Sequence, residues 1–412
     1  MVKAFSMSGK RHNTHFLILT TFLVFLVCMS PRYISTLKIR IGINLSYFDI
    51  TMVFAWALFA KKKAIISYES VFILIWLIQI IISVWRAEQI NLWGYYVLYV
   101  SEMLLFMMFI MYFDRDKIDK YIINGFLIGL TVHLLIGFYE IMAKHYLFEV
   151  GTFSRKYMHT TGISIFHNPN DYSMFVVVLL PFAVHKFVDN LKRKKIAVLY
   201  GFLIAGSIYF SIVNKSRVAV LCLTVLIVYC VKQILKTRKH KYIISFLLII
   251  SLSLTLLIPN VMEWLLSVVA DNSFNTASRA DLVRLNLIRN GLYFLEQTNG
   301  MGVGAGNLYD WLSFKSIYYI ENIRYMHNWY IELLATFGIV LFVLYVIFHF
   351  RILRHLYIEQ KESDNAFGIT RAMFLSFVFF TITSVSSSTN VYSEWVWIYL
   401  GWMAVKNIGS VS

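Results

Sequence analysis

The residues best suited to chemistry are one histidine and several arginines that lie where polar stretches meet long apolar blocks. His327 sits in Tyr325-Met326-His327-Asn328-Trp329-Tyr330-Ile331-Glu332, at the end of the largest polar stretch. An imidazole titrates near neutrality and suits general-base work on a hydroxyl. At such a junction it equally serves as a headgroup or cap contact, and Trp329 and Tyr330 beside it fit an interfacial aromatic belt. Arg217 opens an apolar block in Asn214-Lys215-Ser216-Arg217-Val218-Ala219-Val220, while Arg279, Arg284, Arg289, Lys315 and Arg324 lie in the polar stretch. Guanidinium forks bind phosphate oxygens bidentately, so an anion site is one reading of these residues and solvated surface the other. On a regular helix Arg279, Arg284 and Arg289 are each about 140° from the next. They cannot all face one site, and one principal binder is expected.

Other chemistries find less support. The run Gly300-Met301-Gly302-Val303-Gly304-Ala305-Gly306-Asn307 has no preceding strand and no Walker lysine, so it is not a nucleotide signature. Its physical content is backbone free to approach a ligand or helix closely. No His, Cys and carboxylate cluster has metal-ligand spacing in the polar stretches, and no metal or other cofactor is expected. Asp114-Arg115-Asp116 resembles a cation-holding acidic pair, but a solvated turn explains it. Cys28, Cys222 and Cys230 all lie inside apolar blocks and read as small core residues.

The elements that must position these groups are membrane spans. The chain is 59% hydrophobic and only 15% charged, well below the quarter or so of a soluble protein. Its apolar residues come in blocks of about 17–23, the length that crosses a hydrocarbon core as helix. The expected fold is an all-α polytopic membrane protein of about 12 transmembrane helices, one integral domain over 1–412. Spans are expected near 14–30, 42–60, 69–85, 93–113, 121–141, 172–188, 196–213, 217–235, 242–258, 328–350, 371–388 and 391–407. Pro181 should kink the sixth. More than half of the 38 basic residues gather on one side of this plan, including Lys61-Lys62-Lys63 and Lys192-Arg193-Lys194-Lys195. That side is cytoplasmic, with both termini, by the positive-inside rule. The same clustering accounts for the net charge of +16 without nucleic acid. The segment 259–327 is then a large extracytoplasmic loop between the ninth and tenth helices. Within it 279–297 reads as a helix entered from Asn275-Thr276. A shorter loop at 142–171 lies on the same side.

Taken together, these outer elements resemble the O-antigen ligase and Wzy-type polymerase superfamily. Asn168-Pro169-Asn170 looks like its Asn-Pro-Asn element, and Ser216-Arg217-Val218-Ala219-Val220-Leu221 like its Ser-Arg-x-Ala-x-Leu entry to a span. Arg284-Leu285-Asn286-Leu287-Ile288 looks like its Arg-x-x-x-Trp segment, with Ile288 where Trp is usual. Gly302-Val303-Gly304-Ala305-Gly306 and His327-Asn328 with Glu332 complete the order. The wording is closest to Gram-positive teichuronic-acid and capsule polymerases.

The resemblance implies metal-independent glycosyl transfer at the outer face of the cytoplasmic membrane, from an undecaprenyl-diphosphate-linked oligosaccharide. His327 would activate the acceptor hydroxyl. Arg217 and Arg284 would hold the diphosphate, with Arg279 in reserve. Asn168, Asn170, Gly302, Gly304, Asn328 and Glu332 would position the loop. The bilayer, a chain-length regulator and a flippase of the same pathway are the implied partners. A polymerase is expected, with a ligase or protein O-glycosylating transferase of the same fold as the alternative. A 12-helix transporter is a rival of another class; it would show two related halves and polar, broken helices at mid-bilayer.

Overall fold

The computed structural model describes residues 18, 20–29, 38–41, 43–46, 68–84, 119–148, 161–166, 168–237, 279–321, 323–363, 365, 367–387, 389–391 and 393–408. Residues 20–28 are helical. A short antiparallel hairpin follows, β1 (Lys38–Ile41) on β2 (Ile43–Ser46). The remaining elements are helices: α1 (Tyr68–Val84), α2 (Asp119–Ala143), α3 (Pro169–Asp189), α4 (Lys194–Val213), α5 (Arg217–Thr237), α6 (Arg279–Gln297), α7 (Leu308–Phe314), α8 (Trp329–Glu362), α9 (Ile369–Thr383) and α10 (Glu394–Ile408).

Four of them, α2, α3, α4 and α8, are long and apolar enough to cross a membrane, and the chain is a membrane protein. The expectation of a helical fold holds, with the hairpin as a local departure. Residues 43–46, placed at the start of a span, are its second strand. The rest of that span, the spans at 93–113 and 242–258, and Asp114-Arg115-Asp116 lie outside the described residues. The helix expected at 279–297 is α6, with the same limits.

The bundle is organised around α3. Asn168 caps it, accepting from the N–H groups of Asn170 (2.8 Å) and Asp171 (3.0 Å), and Pro169 takes the first helical position, where no N–H is needed. From Asp171 to Val184 every residue is buried, as a helix apolar on all sides requires. α4 and α9 pack against it. The helix runs on through Pro181. Near that break in its ladder, Ser376 Oγ of α9 donates to the Val178 carbonyl at 2.6 Å and meets Tyr399 OH at 2.9 Å. Cys28, Cys222 and Cys230 are free and buried, as expected of small core residues.

The marked break is in α8, at Gly338 (φ 82°, ψ −179°), a conformation essentially confined to glycine. It frees carbonyls that a continuous helix would use, and three of them are met from other elements. Val303 N–H donates to Ala335 O and Gly304 N–H to Thr336 O, both at 2.8 Å, and Gln79 Nε2 of α1 reaches Phe337 O at 3.3 Å. In return Ile339 N–H donates to Gly300 O at 2.9 Å. The glycine run is thus a backbone clip on a broken helix. α6 feeds it through a Schellman ending, with Asn299 left-handed and Gly300 N–H bonded to Leu295 O at 2.8 Å.

Two helix ends differ from the hydropathy reading. α8 continues to Glu362 instead of stopping near 350, because Arg351–Glu362 keeps helical spacing while turning polar. α9 stops at Thr383, where a run of small polar residues begins. Part of the expected 142–171 loop is interior: residues 161–166 are buried. Glu140 of α2 holds them by accepting from Ile163 N–H (2.9 Å) and Ser164 N–H (2.8 Å).

A methyl added at Gly338 would meet Gly300 O at 2.4 Å, and one at Gly302 would meet Gly338 N at 2.5 Å. Gly338→Ala and Gly302→Ala should each cost about 2–4 kcal/mol. The readout is a lower unfolding temperature of the detergent-purified protein. Gly206→Ala, whose methyl meets side chains and no backbone, Leu134 Cδ1 at 3.3 Å and Phe138 Cε2 at 3.4 Å, should stay much closer to wild type.

Candidate functional site

The site forms where α5, α6 and α8 begin or come close together. His327 takes a left-handed backbone (φ 50°) immediately before α8, a conformation that costs a side-chain-bearing residue of the order of 1 kcal/mol or more. Asn328 follows as the helix cap, its Oδ1 accepting from Tyr330 N–H (3.1 Å) and Ile331 N–H (3.2 Å). Trp329 N–H bonds Ser384 O of the α9–α10 connection at 2.9 Å. Glu332, one turn on, is buried, and one of its oxygens accepts from Thr389 Oγ1 at 2.6 Å. These contacts fix the start of α8 and with it the half-buried His327.

Arg284 reaches the same place from α6. Its helix lies close on the first turns of α8 because position 291 is glycine; a methyl there would stand 2.6 Å from Met326 and 2.7 Å from Ile331. On its other flank the fully buried Asn290 accepts from Ile317 and Tyr318 N–H (both 3.0 Å) and donates to Tyr318 O (2.9 Å). Arg289 points elsewhere, onto the Tyr318 ring at 5.6 Å. Lys315 lies over Trp311 and Arg324 over Tyr309. The geometric expectation that the α6 arginines cannot share one site therefore holds for Arg284 and Arg289. Arg279 opens α6, and its side chain lies outside the described residues.

Arg217 arrives from α5. Lys215 (φ 54°) turns the chain, Ser216 O accepts the first helical bond, from Val220 N–H, and Arg217 follows. Its Nη1 lies 3.4 Å from Asp281 Oδ2, on the first turn of α6 and one turn before Arg284. Below it, Asn214 bonds Gly162 N–H (3.2 Å), Ser173 Oγ (3.3 Å) and Pro169 O (3.4 Å). This ties the mouth of α5 to the Asn168–Asn170 element. Asp171 there lies within electrostatic reach of Glu332. Gly302 and Gly304 serve one step removed, in the clip that holds α8.

The structure therefore groups Arg217, Arg284 and His327 around α6, with Asn168, Asn328 and Glu332 as local supports. Sequence reasoning missed Asn214, Asp281, Asn290 and Gly338. Asn290 had a visible signal, an amide in a helix rich in Leu and Ile. The others draw their meaning from partners far away in the chain.

The electrostatics of the cluster act on His327. Its pKa is pushed down from 6.5 to about 4, chiefly by desolvation and then by the Arg284 guanidinium. At neutral pH the ring is uncharged, a proton acceptor and not a donor of charge.

Residues 201–346 match the family model described as O-Antigen ligase. This span takes in Arg217, Arg284, the glycine clip, His327, Glu332 and Gly338, and it stops short of Asn168 and Asn170. The chain is also similar to the Teichuronic acid biosynthesis protein TuaE of Bacillus subtilis (strain 168). The two are 25% identical over 346 residues, 81% of this chain and 71% of that protein. Both the family resemblance and its Gram-positive, teichuronic-acid flavour are borne out.

A depressed histidine pKa has a definite sign. Between about 4 and 6.5 the folded ring stays neutral while the unfolded one protonates, so acid weakens the fold across that window. In histidine-labelled NMR spectra His327 should titrate near 4. Arg284→Gln should raise that midpoint without restoring 6.5, because desolvation is the larger cause. A midpoint unmoved by the substitution would separate the two side chains.

Proposed function

We propose that this protein polymerises a cell-surface polysaccharide, transferring a lipid-diphosphate-linked glycan chain to a lipid-linked repeat unit at the outer face of the cytoplasmic membrane. The observation that carries the reading is the gathering of Arg217, Arg284 and an uncharged His327 around α6, inside the segment that matches O-antigen ligases.

The chemistry follows from those three groups. The acceptor hydroxyl loses its proton to His327 as its oxygen attacks the anomeric carbon of the donor. The bond from that carbon to the diphosphate oxygen breaks, and the lipid diphosphate leaves with the electron pair. Arg217 and Arg284 stabilise the charge that builds there, each on the order of 3 kcal/mol. A positioned base adds on the order of 100-fold or more. The two functions reinforce each other. Arg284 lowers the basicity of His327 while the site is empty. Diphosphate beside Arg284 offsets that charge and raises it, so the base is strongest when donor is bound.

The description of the matching family favours a second reading, ligation of a finished chain to a non-glycan-lipid acceptor, by the same donor chemistry. The acceptor alone distinguishes the two.

His327→Ala and Arg217→Ala should each abolish long polymer while the protein still reaches the membrane. Lipid-linked single units should then accumulate on a gel of surface and lipid-extracted glycan. Lys194→Ala should leave chain length unchanged. Polymer made at full length but left unattached would decide for ligation, and normal attached polymer in both site variants would dispose of the assignment.

A further inference from the structure

Asp281 pairs with one of the two proposed diphosphate-binding arginines and precedes the other on α6, yet the proposed reaction has no use for it. Its Oδ2 stands 3.4 Å from Arg217 Nη1, and it precedes Arg284 by three residues, neighbouring positions on one helix face. A single carboxylate thus sits against one diphosphate-binding guanidinium and beside the other. Both members of the pair are open to solvent, Arg217 with 73% of its side chain exposed and Asp281 with 37%. An exposed pair with one contact of that length is weak and readily exchanged. A diphosphate carries more charge and several oxygens, and can engage guanidinium forks bidentately.

We propose that Asp281 is the internal counter-anion of the donor site: it occupies Arg217 when the site is empty and is displaced by the incoming lipid diphosphate. The inference rests on the assignment of Arg217 and Arg284 made above. Its consequence is a threshold for occupancy. Any anionic ligand must displace a carboxylate already in place, and the cost of breaking that pair is subtracted from its affinity. It also keeps two guanidinium groups from standing unbalanced in the empty site.

The test uses the full-length protein in phosphatidylcholine nanodiscs, titrated with undecaprenyl diphosphate and, separately, undecaprenyl monophosphate. Asp281→Asn, and Asp281→Ser as a second variant, should bind the diphosphate about 2- to 5-fold more tightly, the size of a weak exposed pair. The monophosphate should gain by a similar factor, since both ligands displace the same pair. Arg217→Ala should bind the diphosphate more weakly, and adding Asp281→Asn to it should restore no tighter binding. If Arg217→Ala weakens binding but both Asp281 variants bind no better than wild type, the counter-anion role is overturned and the diphosphate assignment stands. If Arg217→Ala binds as wild type does, the assignment itself fails, and the inference with it.

Discussion

A helix that breaks inside an apolar bundle must hand its freed backbone groups to other partners, because no water is at hand to take them. α8 breaks at Gly338, and the consequences spread through the site. The carbonyls of Ala335, Thr336 and Phe337 are met by the Val303 and Gly304 N–H groups and by Gln79, while Gly300 O takes the Ile339 N–H. These bonds form only because glycine stands at 302 and 338, where any side chain would collide with the opposing backbone. A run that looks like flexible linker is therefore tied by backbone hydrogen bonds to the break in α8.

That joint closes a circuit. α6 leads into the clip, α7 and the stretch secured by Asn290 follow, and the chain returns through His327 to α8, whose break receives the clip. Arg284 and His327 stand at two points on this closed path. The relation of their backbones is set by packing at Gly291 and by backbone bonds. Arg217 joins from outside the circuit, through an exposed ion pair. His327 is thus held by the backbone of the circuit, whereas Arg217 is held by a solvent-exposed side-chain contact.

The balance of burial supports the same division of labour. His327 is half-buried and kept neutral by desolvation and a neighbouring charge, a state suited to accepting a proton. Arg217 remains largely in solvent, where a guanidinium fork can pair with an anion without a heavy desolvation penalty. Beneath them the polar side chains are tied down: Asn168 and Asn328 as caps, Asn214 as a three-way link, Glu332 to Thr389.

What the sequence determined by itself was whatever depends on near neighbours. The limits of α6 and the spans around α2 to α5 follow from local periodicity and are found as read, while Asn168 and Asn328, known from the sequence only as motif residues, prove to be helix caps. Motif order was enough to single out Arg217, Arg284 and His327. The ends of α8 and α9 were misjudged because hydropathy measures membrane depth and not helical continuity. The break at Gly338, the purpose of the glycine run, and the pairing of Arg217 with Asp281 across 64 positions were decided only in three dimensions. Each is a bargain between groups distant in the chain, and a backbone carbonyl or a lone carboxylate carries no mark in the sequence of the partner it will meet.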